Sequence, residues 1–297
     1  MPLLGKQERV GYALVAMRAV ISAVLRRYPF YSRYPEIALS RPLGLFARGE
    51  HALAKLRDGQ RILVHTKDHV GRILLYMGDV DPRLSWVARK LLRPGDNVLD
   101  IGANLGWFTL LSSKLVGSRG QVHAFEPQPK IAAMLNASLA INGSDNVTLH
   151  DVALSDREGT AEFHVLGGNY GAGRLGDNDV TERWNTIRVQ TVEAGTYLDS
   201  LDLPRVRLVK IDVEGHEQTI FEAAESFFRE NQPDAILFEE AGSGTISRRP
   251  VAKVLKSFGY DLFTFNGSFT RPGLVSANAD KPPSIDHLAL RKGLHIL

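Results

Sequence analysis

The chain has 297 residues, of which 44% are hydrophobic, 23% charged and 8% aromatic, so it is apolar enough to pack a core and wholesale disorder is excluded. It contains no cysteine, which excludes disulfides, thiolate nucleophiles and cysteine-ligated metal centres. The net charge of +3 is unevenly spread: residues 1–93 hold 17 Lys and Arg against 7 Asp and Glu (+10), while residues 94–297 hold 19 against 26 (−7), which points to two zones with different partners.

The first 60 residues read as helical and basic. Residues 10–25 are the most apolar stretch, with 13 of 16 positions apolar. Arg18 interrupts it, it is shorter than the roughly 20 residues of a membrane span, and no small-residue cleavage site marks a secretory signal. A cytoplasmic protein is expected. Residues 8–33 have two readings: a helix packed on the domain with a solvated Arg face, or a peripheral contact in which Arg18, Arg26, Arg27 and Arg33 meet an anionic membrane surface. Pro29, Pro35 and Pro42 then break the chain. Two strand-like runs, 61–65 and 71–77, precede a helix over 84–92. This organisation predicts a helical N-terminal extension over 1–59 and one domain over 60–297.

From Pro94 onward, apolar strands alternate with helices. Strands are expected over 97–101, 121–125, 147–152, 208–213 and 235–239, with helices over 107–116, 130–142, 217–230 and 250–258. A Gly- and Asn-rich loop covers 167–179. Two closing strands, 260–265 and 287–291, have no clear helix between them. The pattern predicts an α/β fold: a Rossmann-like, doubly wound, seven-stranded, mostly parallel sheet with an antiparallel edge strand.

The first chemical motif is Asp100-x-Gly102-x-Asn104-x-Gly106, between a strand and a helix. The glycines permit a tight turn and close approach of a ligand to the backbone, and the helix beyond offers free N–H groups. Glu126 follows 20 residues after Gly106, at the end of the next strand, where an acid accepts ribose hydroxyls. The ligand is therefore a nucleoside derivative. The spacing is not that of a dinucleotide fingerprint, and the Asp100 carboxylate repels a pyrophosphate. It attracts S-adenosylmethionine (SAM), which carries an ammonium and a sulfonium and no phosphate. After the third strand, Asp151 is a candidate acceptor for the adenine amine and Val152 or Ala153 for packing on the ring. Asp156 reads more simply as a turn cap.

The second motif is Leu208-Val-Lys-Ile-Asp-Val-Glu-Gly-His-Glu217. A buried parallel strand is normally apolar throughout, yet this one carries Lys210 and Asp212 and ends in Glu214, His216 and Glu217. Ligands in open α/β sheets bind beyond the carboxyl ends of strands. His216 is the best general base by type. Asp212 suits orienting it or binding a substrate hydroxyl, and Lys210 pairing with a carboxylate. Asp212, Glu214 and His216 are also metal-ligand types, but no second ligand set accompanies them and no metal is expected. Glu217 alone reads equally as a first-turn helix residue. Glu239 and Glu240, at the next strand end, are further candidates for the cleft or plain solvated charge.

These motifs carry a resemblance. Pro94-Gly-Asp96, Leu99-Asp-Ile-Gly-Ala-Asn-Leu-Gly-Trp-Phe-Thr109, Ala124-Phe-Glu-Pro-Gln-Pro129, Asn136, Asn142, Ala153-Leu-Ser-Asp156 and Lys210-Ile-Asp-Val-Glu-Gly-His-Glu217 occur in an order and spacing that resemble the FkbM-type methyltransferase family of class I SAM-dependent methyltransferases. The resemblance covers roughly residues 60–265. It implies an O-methyltransferase for the hydroxyl of a sugar, glycan or secondary metabolite. Asp100, Gly102, Asn104, Gly106 and Glu126 would then bind SAM, Asp212 and His216 would line the transfer site, and residues 169–173 would form a substrate-side loop. Two rival readings are a nucleic-acid methyltransferase, prompted by the basic N-terminal third, and a non-catalytic SAM-fold interaction module. Against the first, base-methylating relatives of this fold carry Asn/Asp-Pro-Pro-aromatic where this chain has Asp-Val-Glu-Gly, and acids repel a phosphate backbone, so no nucleic acid is expected. Against the second stand the intact loop and the charged strand end.

Overall fold

The computed structural model describes residues 17, 20–24, 50–166, 169–175, 184–240, 245–266, 268, 271–277 and 285–294. The breaks expected at Pro29, Pro35 and Pro42, the arginines at 18, 26, 27 and 33, and part of the loop expected over 167–179 lie outside the described residues.

An antiparallel hairpin opens the described domain: β1 (His51–Lys55) pairs along its full length with β2 (Arg61–His65). The turn between them contains Gly59 at φ +96°. The expected boundary at 59/60 therefore cuts through a hairpin, and residues 51–59 belong to the same domain as β2. The open edge of β2 is satisfied by side chains: Asn142 accepts from the Arg61 N–H (2.9 Å) and donates to its carbonyl (2.6 Å), and Ser138 accepts from the Leu63 N–H (3.0 Å).

The run expected as a strand over 71–77 is instead helical, α1 (His69–Met77). Its five apolar residues in succession do not distinguish a strand from a buried helix, and the ends decide. Asp68 caps the start by accepting from the Gly71 N–H, and Gly78, in the left-handed conformation, closes it. α2 (Pro82–Leu91) comes next, with Asp81 as N-cap and Pro at its first position.

The central sheet and its helices then alternate: β3 (Asn97–Ile101), α3 (Trp107–Val116), β4 (Gln121–Phe125), α4 (Pro129–Asn142) and β5 (Val147–His150). A smaller sheet interrupts, built from β6 (Ala153–Ser155), β7 (Gly159–Leu166), β8 (Asn169–Leu175) and β9 (Trp184–Glu193) in the order β6-β9-β7-β8. The large sheet resumes with α5 (Ala194–Ser200), β10 (Val206–Ile211), α6 (Glu217–Ala223), α7 (Glu225–Glu230), β11 (Ala235–Glu239), α8 (Pro250–Ser257), β12 (Tyr260–Phe265), β13 (Leu274–Ser276) and β14 (Asp286–Arg291).

The large sheet has eight strands in the order β13-β12-β14-β11-β10-β3-β4-β5. Pairing is parallel from β11 through β5. β14 is inserted antiparallel between β11 and β12, and the short β13 is the antiparallel edge. The fold is thus Rossmann-like α/β with one strand more than the seven expected. Each face is covered by its own apolar cluster. One joins the hairpin, α1 and α2 to Val98, Val122 and Leu208; the other packs α5 to α8 on Leu99, Val209 and Ile236.

The N-terminal helical residues dock through one side only. Ile21 packs on the first cluster and Ser22 is buried, its hydroxyl 3.4 Å from the Leu75 carbonyl, while Met17, Val20 and Val24 are 43%, 64% and 52% exposed. Among the described residues no helix is long and apolar enough to cross a membrane.

A buried ion cluster ties the elements before the sheet to its antiparallel end. The Arg83 guanidinium pairs with Asp81, the N-cap of α2, and with Asp286, the first residue of β14. Asp286→Ala leaves that guanidinium half-paired and is expected to cost about 3 kcal/mol, the low end for a broken buried pair because Asp81 remains. Urea unfolding reads this as a lower midpoint. An unchanged midpoint would show that the Arg83–Asp81 pair suffices.

Candidate functional site

At the carboxyl ends of β3, β4 and β10 lies a cleft with about 1050 Å³ of empty space, including its open mouth. Its walls come from the β3–α3 turn, the β4–α4 turn, the start of β6, the β10–α6 turn and the end of β11. α1 contributes His69 and Val70, and the small sheet contributes Phe163, Gly173 and Leu175.

The β3–α3 turn is shaped by contacts within the protein. Gly102 has φ +76°, and a Cβ there would meet the Asp212 carbonyl oxygen at 1.9 Å; Gly106 has φ +89°, and a Cβ would meet Leu135 at 2.1 Å. The glycines thus admit neighbouring protein atoms where the sequence led us to expect a ligand. The turn's N–H groups are also engaged. Gly102 and Ala103 donate to the Phe125 carbonyl (3.0 and 2.9 Å), Asn104 to Glu126 Oε2 (2.9 Å), Leu105 to Asn104 Oδ1 (2.6 Å) and Gly106 to the Ala103 carbonyl (2.9 Å). A phosphate on this turn would have to displace those bonds.

Glu126 is buried and lines the cleft. Its Oε1 accepts from the Gln128 N–H and its Oε2 from the Asn104 N–H, both at 2.9 Å, so one carboxylate joins the two turns. Burial pushes its pKa up to about 7, against the smaller opposing effects of those N–H groups and Lys210.

Asp100 departs from expectation. It is wholly buried and is not part of the cleft lining. Its Oδ2 accepts from the Thr109 hydroxyl (2.6 Å), and its Oδ1 lies 3.4 Å from Lys210 Nζ. Lys210 is opposite Asp100 in the β10–β3 register, lies 3.6 Å from Asp212 Oδ2 and donates to the Gly102 carbonyl (2.9 Å). Burial alone would lower the Lys210 pKa, but Asp100 and Asp212 outweigh it and hold it above the ordinary value. The Asp100 carboxylate is therefore directed at Lys210 and Thr109 beneath the turn and not into the cleft.

The β10–α6 turn brings the other candidates together: Asp212, Glu214 and His216 all line the cleft. Glu214 has φ +56°, a strained left-handed conformation for a non-glycine residue costing about 1–2 kcal/mol. Glu217 holds the turn, its carboxylate accepting from the Val213 (2.9 Å) and Gly215 (3.0 Å) N–H groups. It is a helix-start residue, as its simpler reading held. His216 Nε2 is 3.0 Å from Ser155 Oγ, and burial lowers its pKa against the opposing charge of Asp156.

Glu239 lines the cleft, but Glu240 turns away to cap α8, accepting from Val251 (2.8 Å) and Ala252 (3.3 Å). Carboxylate oxygens of Asp212, Glu214 and Glu239 come within 4.8 Å of one another. The Lys210 ammonium stands beside Asp212, and Glu239 is the second-strand acid that the sequence reading did not join to Asp212 and Glu214. Val152 lines the cleft; Asp151 is exposed and, like Gly106, outside the lining. Of the named candidates, the cleft thus gathers Gly102, Asn104, Glu126, Val152, Ala153, Lys210, Asp212, Glu214, His216 and Glu239.

Sequence reasoning missed Trp107, His69 and Gln128 in the cleft wall and Ser155 beside His216. Trp107 and Ser155 stand inside motifs already singled out, so their position was a usable signal. His69 lies just before the run misread as extended, and no motif marks it.

The cleft fits a nucleoside bearing positive charge. A buried carboxylate at the end of β4 is in place for hydroxyls, the turn's donors are committed, and acids dominate the far wall. Residues 100–262, more than half of the chain, match the model of the methyltransferase FkbM domain. The 2-O-methyltransferase NoeI of Sinorhizobium fredii (strain NBRC 101917 / NGR234) is 27% identical over 191 residues, 58% of this chain and 76% of that protein. Among solved structures, a SAM-dependent O-methyltransferase from Thermotoga maritima is similar with 15% identity and a TM-score of 0.41, the match covering 82% of this chain and 94% of that one. Aeropyrum pernix fibrillarin, solved with SAM bound, matches at 15% identity and a TM-score of 0.38, covering 69% and 72%. The chain belongs to the FkbM methyltransferase family and is a SAM-dependent methyltransferase.

Proposed function

We propose that this methyltransferase acts on a hydroxyl of a sugar, glycan or secondary metabolite, with His216 as the proton acceptor. The observation that carries this reading is the convergence of Glu126 and His216 on one cleft. The name of the relative, a 2-O-methyltransferase, supports oxygen as the acceptor atom. When bound, SAM supplies a sulfonium methyl, whose S–C bonding pair leaves with sulfur as the hydroxyl oxygen takes the carbon.

The chain's residues do the rest. Glu126 accepts from ribose hydroxyls, Gly102 and Asn104 form the floor beneath the donor, and Val152 packs on the adenine. Asp100 acts through Lys210, keeping the end of β10 against the turn. Asp212 and Glu214 accept hydrogen bonds from acceptor hydroxyls and orient the reacting oxygen, whose proton goes to His216 as the O–C bond forms. Acids on this wall favour a neutral polyhydroxyl acceptor over a phosphate-bearing one. That argues against nucleic acid.

Two predictions test these roles. His216→Ala should leave SAM affinity unchanged by calorimetry while labelled-methyl transfer to a panel of neutral oligosaccharides falls by about 10²- to 10⁴-fold, the range for a positioned base. Full activity would remove His216 from the role.

Glu126 sets a pH dependence. Its carboxyl ionises near pH 7 in the free protein, and ribose hydroxyls donate to the ionised form, so bound SAM lowers that pKa and its binding releases a proton. Affinity should therefore rise with pH through 7, by up to about tenfold between pH 6 and 8. Glu126→Gln should weaken binding and flatten the profile. A profile of unchanged slope in that variant would overturn the assignment.

The exposed face of Met17, Val20 and Val24 supports a second, separate contact, with an anionic membrane surface, because the sequence flanks it with Arg18, Arg26 and Arg27. Val20→Glu with Val24→Glu should reduce co-sedimentation with phosphatidylglycerol vesicles. Equal sedimentation would reject the contact.

A further inference from the structure

The side chain that touches His216 is Ser155, the last residue of β6, and it is buried. β6 is fixed by parallel pairing to β9, with Ser155 opposite Glu193. His216 itself is the N-cap of α6, following Glu214 and Gly215 at positive φ in a turn whose Val213 and Gly215 N–H groups donate to Glu217. The imidazole is thus gripped between two independently anchored pieces of backbone.

The hydrogen-bond inventory decides which ring nitrogen carries the proton. A serine hydroxyl has one proton to give. Ser155 Oγ lies 3.2 Å from Asp156 Oδ1 and 3.0 Å from His216 Nε2. The bond from Arg157 holds the Asp156 carboxyl below its ordinary pKa, so it is ionised at neutral pH. An anionic oxygen is a stronger acceptor than a neutral imidazole nitrogen, so the Ser155 proton goes to Asp156. The Ser155 oxygen is then left to accept, and the donor facing it is His216 Nε2–H. A neutral imidazole has one N–H, so Nδ1 keeps its lone pair. Among the described residues Nδ1 has no hydrogen-bond partner, and the ring lines the cleft.

We propose that Ser155 is the positioning residue that selects the Nε2–H tautomer of His216, leaving Nδ1 as the nitrogen that receives the acceptor's proton. This rests on the reading of His216 as the base. It adds a role for the Ala153-Leu-Ser-Asp156 run: Asp156 orders the serine hydroxyl, and the serine orders the ring, as a carboxylate orders a histidine directly in hydrolase triads. The reverse arrangement, with the serine donating to Nε2, would put the ring's proton on Nδ1 and leave no lone pair there. Asp212, Glu214 and Glu239 share the cleft and Glu217 shares the turn, yet none of them forms a described hydrogen bond to the ring.

The test needs no acceptor. The full chain is labelled with ¹⁵N-histidine, long-range ¹H–¹⁵N spectra are recorded at pH 8, and the His216 signals are identified by their loss in His216→Gln. The wild type should show a protonated Nε2 and an unprotonated Nδ1. Ser155→Ala should populate both tautomers, and Ser155→Thr, which keeps the hydroxyl, should restore one. A wild-type Nδ1–H tautomer overturns the proposal even if Ser155→Ala fails to fold, and so does an undisturbed Nε2–H tautomer in folded Ser155→Ala. Full methyl transfer by His216→Ala would remove the base reading instead, while the tautomer result would stand.

Discussion

One buried ammonium organises this site. Lys210 is 4% exposed, and within 3.6 Å it meets Asp100, Asp212 and the Gly102 carbonyl. Its position is set by sheet register, since β3 and β10 run parallel with Asp100 opposite Lys210. A lone buried charge of either sign is costly, and a pair is tolerable only when geometry and further hydrogen bonds satisfy it. Here Thr109 serves one carboxylate and Gly102 the ammonium. The arrangement clamps the tips of two central strands together at the place where the cleft opens.

The clamp also changes the electrostatic argument for the donor. From sequence, Asp100 looks like the charge that rejects a pyrophosphate. In the fold that charge is spent on Lys210, and rejection has another basis. The N–H groups from Gly102 to Gly106, which a dinucleotide-binding turn offers to phosphate, are committed to Phe125, Glu126, Asn104 and Ala103. The acids that line the cleft are Glu126, a strand further on, and Asp212, Glu214 and Glu239 on the far wall. The conclusion about the donor survives with a different residue carrying it. This is a general hazard of motif reading: a strand-end acid beside a Gly turn looks the same in sequence whether it contacts the ligand or supports the turn that does.

Much of the large sheet was legible because the strands of a covered parallel sheet are short apolar runs bounded by turn residues: β3, β4, β5, β10, β11, β12 and β14 were readable, while the small sheet and β13 were not. Misreadings arose where local pattern was silent. Residues 73–77 are apolar without period, and only the Asp68 cap and Gly78 settle them as part of a helix. The hairpin strand at 51–55 is short and carries His51 and Lys55 on its exposed positions, so it merged into a basic stretch. Glu217 and Glu240 looked chemical by type, but each spends its carboxylate on backbone N–H groups at a helix start. Asp212, Glu214 and His216 were legible as a set because that many ionisable groups at the end of a buried strand is expensive without a use.

The segment before residue 94 is where sequence and structure differ most in meaning. Its excess of positive charge invites a reading as an appendage with its own partner. Yet the hairpin, α1 and α2 share a continuous core with the central sheet, and α1 puts His69 and Val70 into the cleft wall. Of the helical residues at 20–24, Ile21 packs on the first core cluster and Ser22 lies against Leu75 of α1, six positions along that helix from His69. At about 1.5 Å of rise per residue, that separation is roughly 9 Å along the axis of α1. The described helical residues at 20–24 and the His69 end of the cleft wall are consequently joined by one helix, α1, which packs on the core of the central sheet.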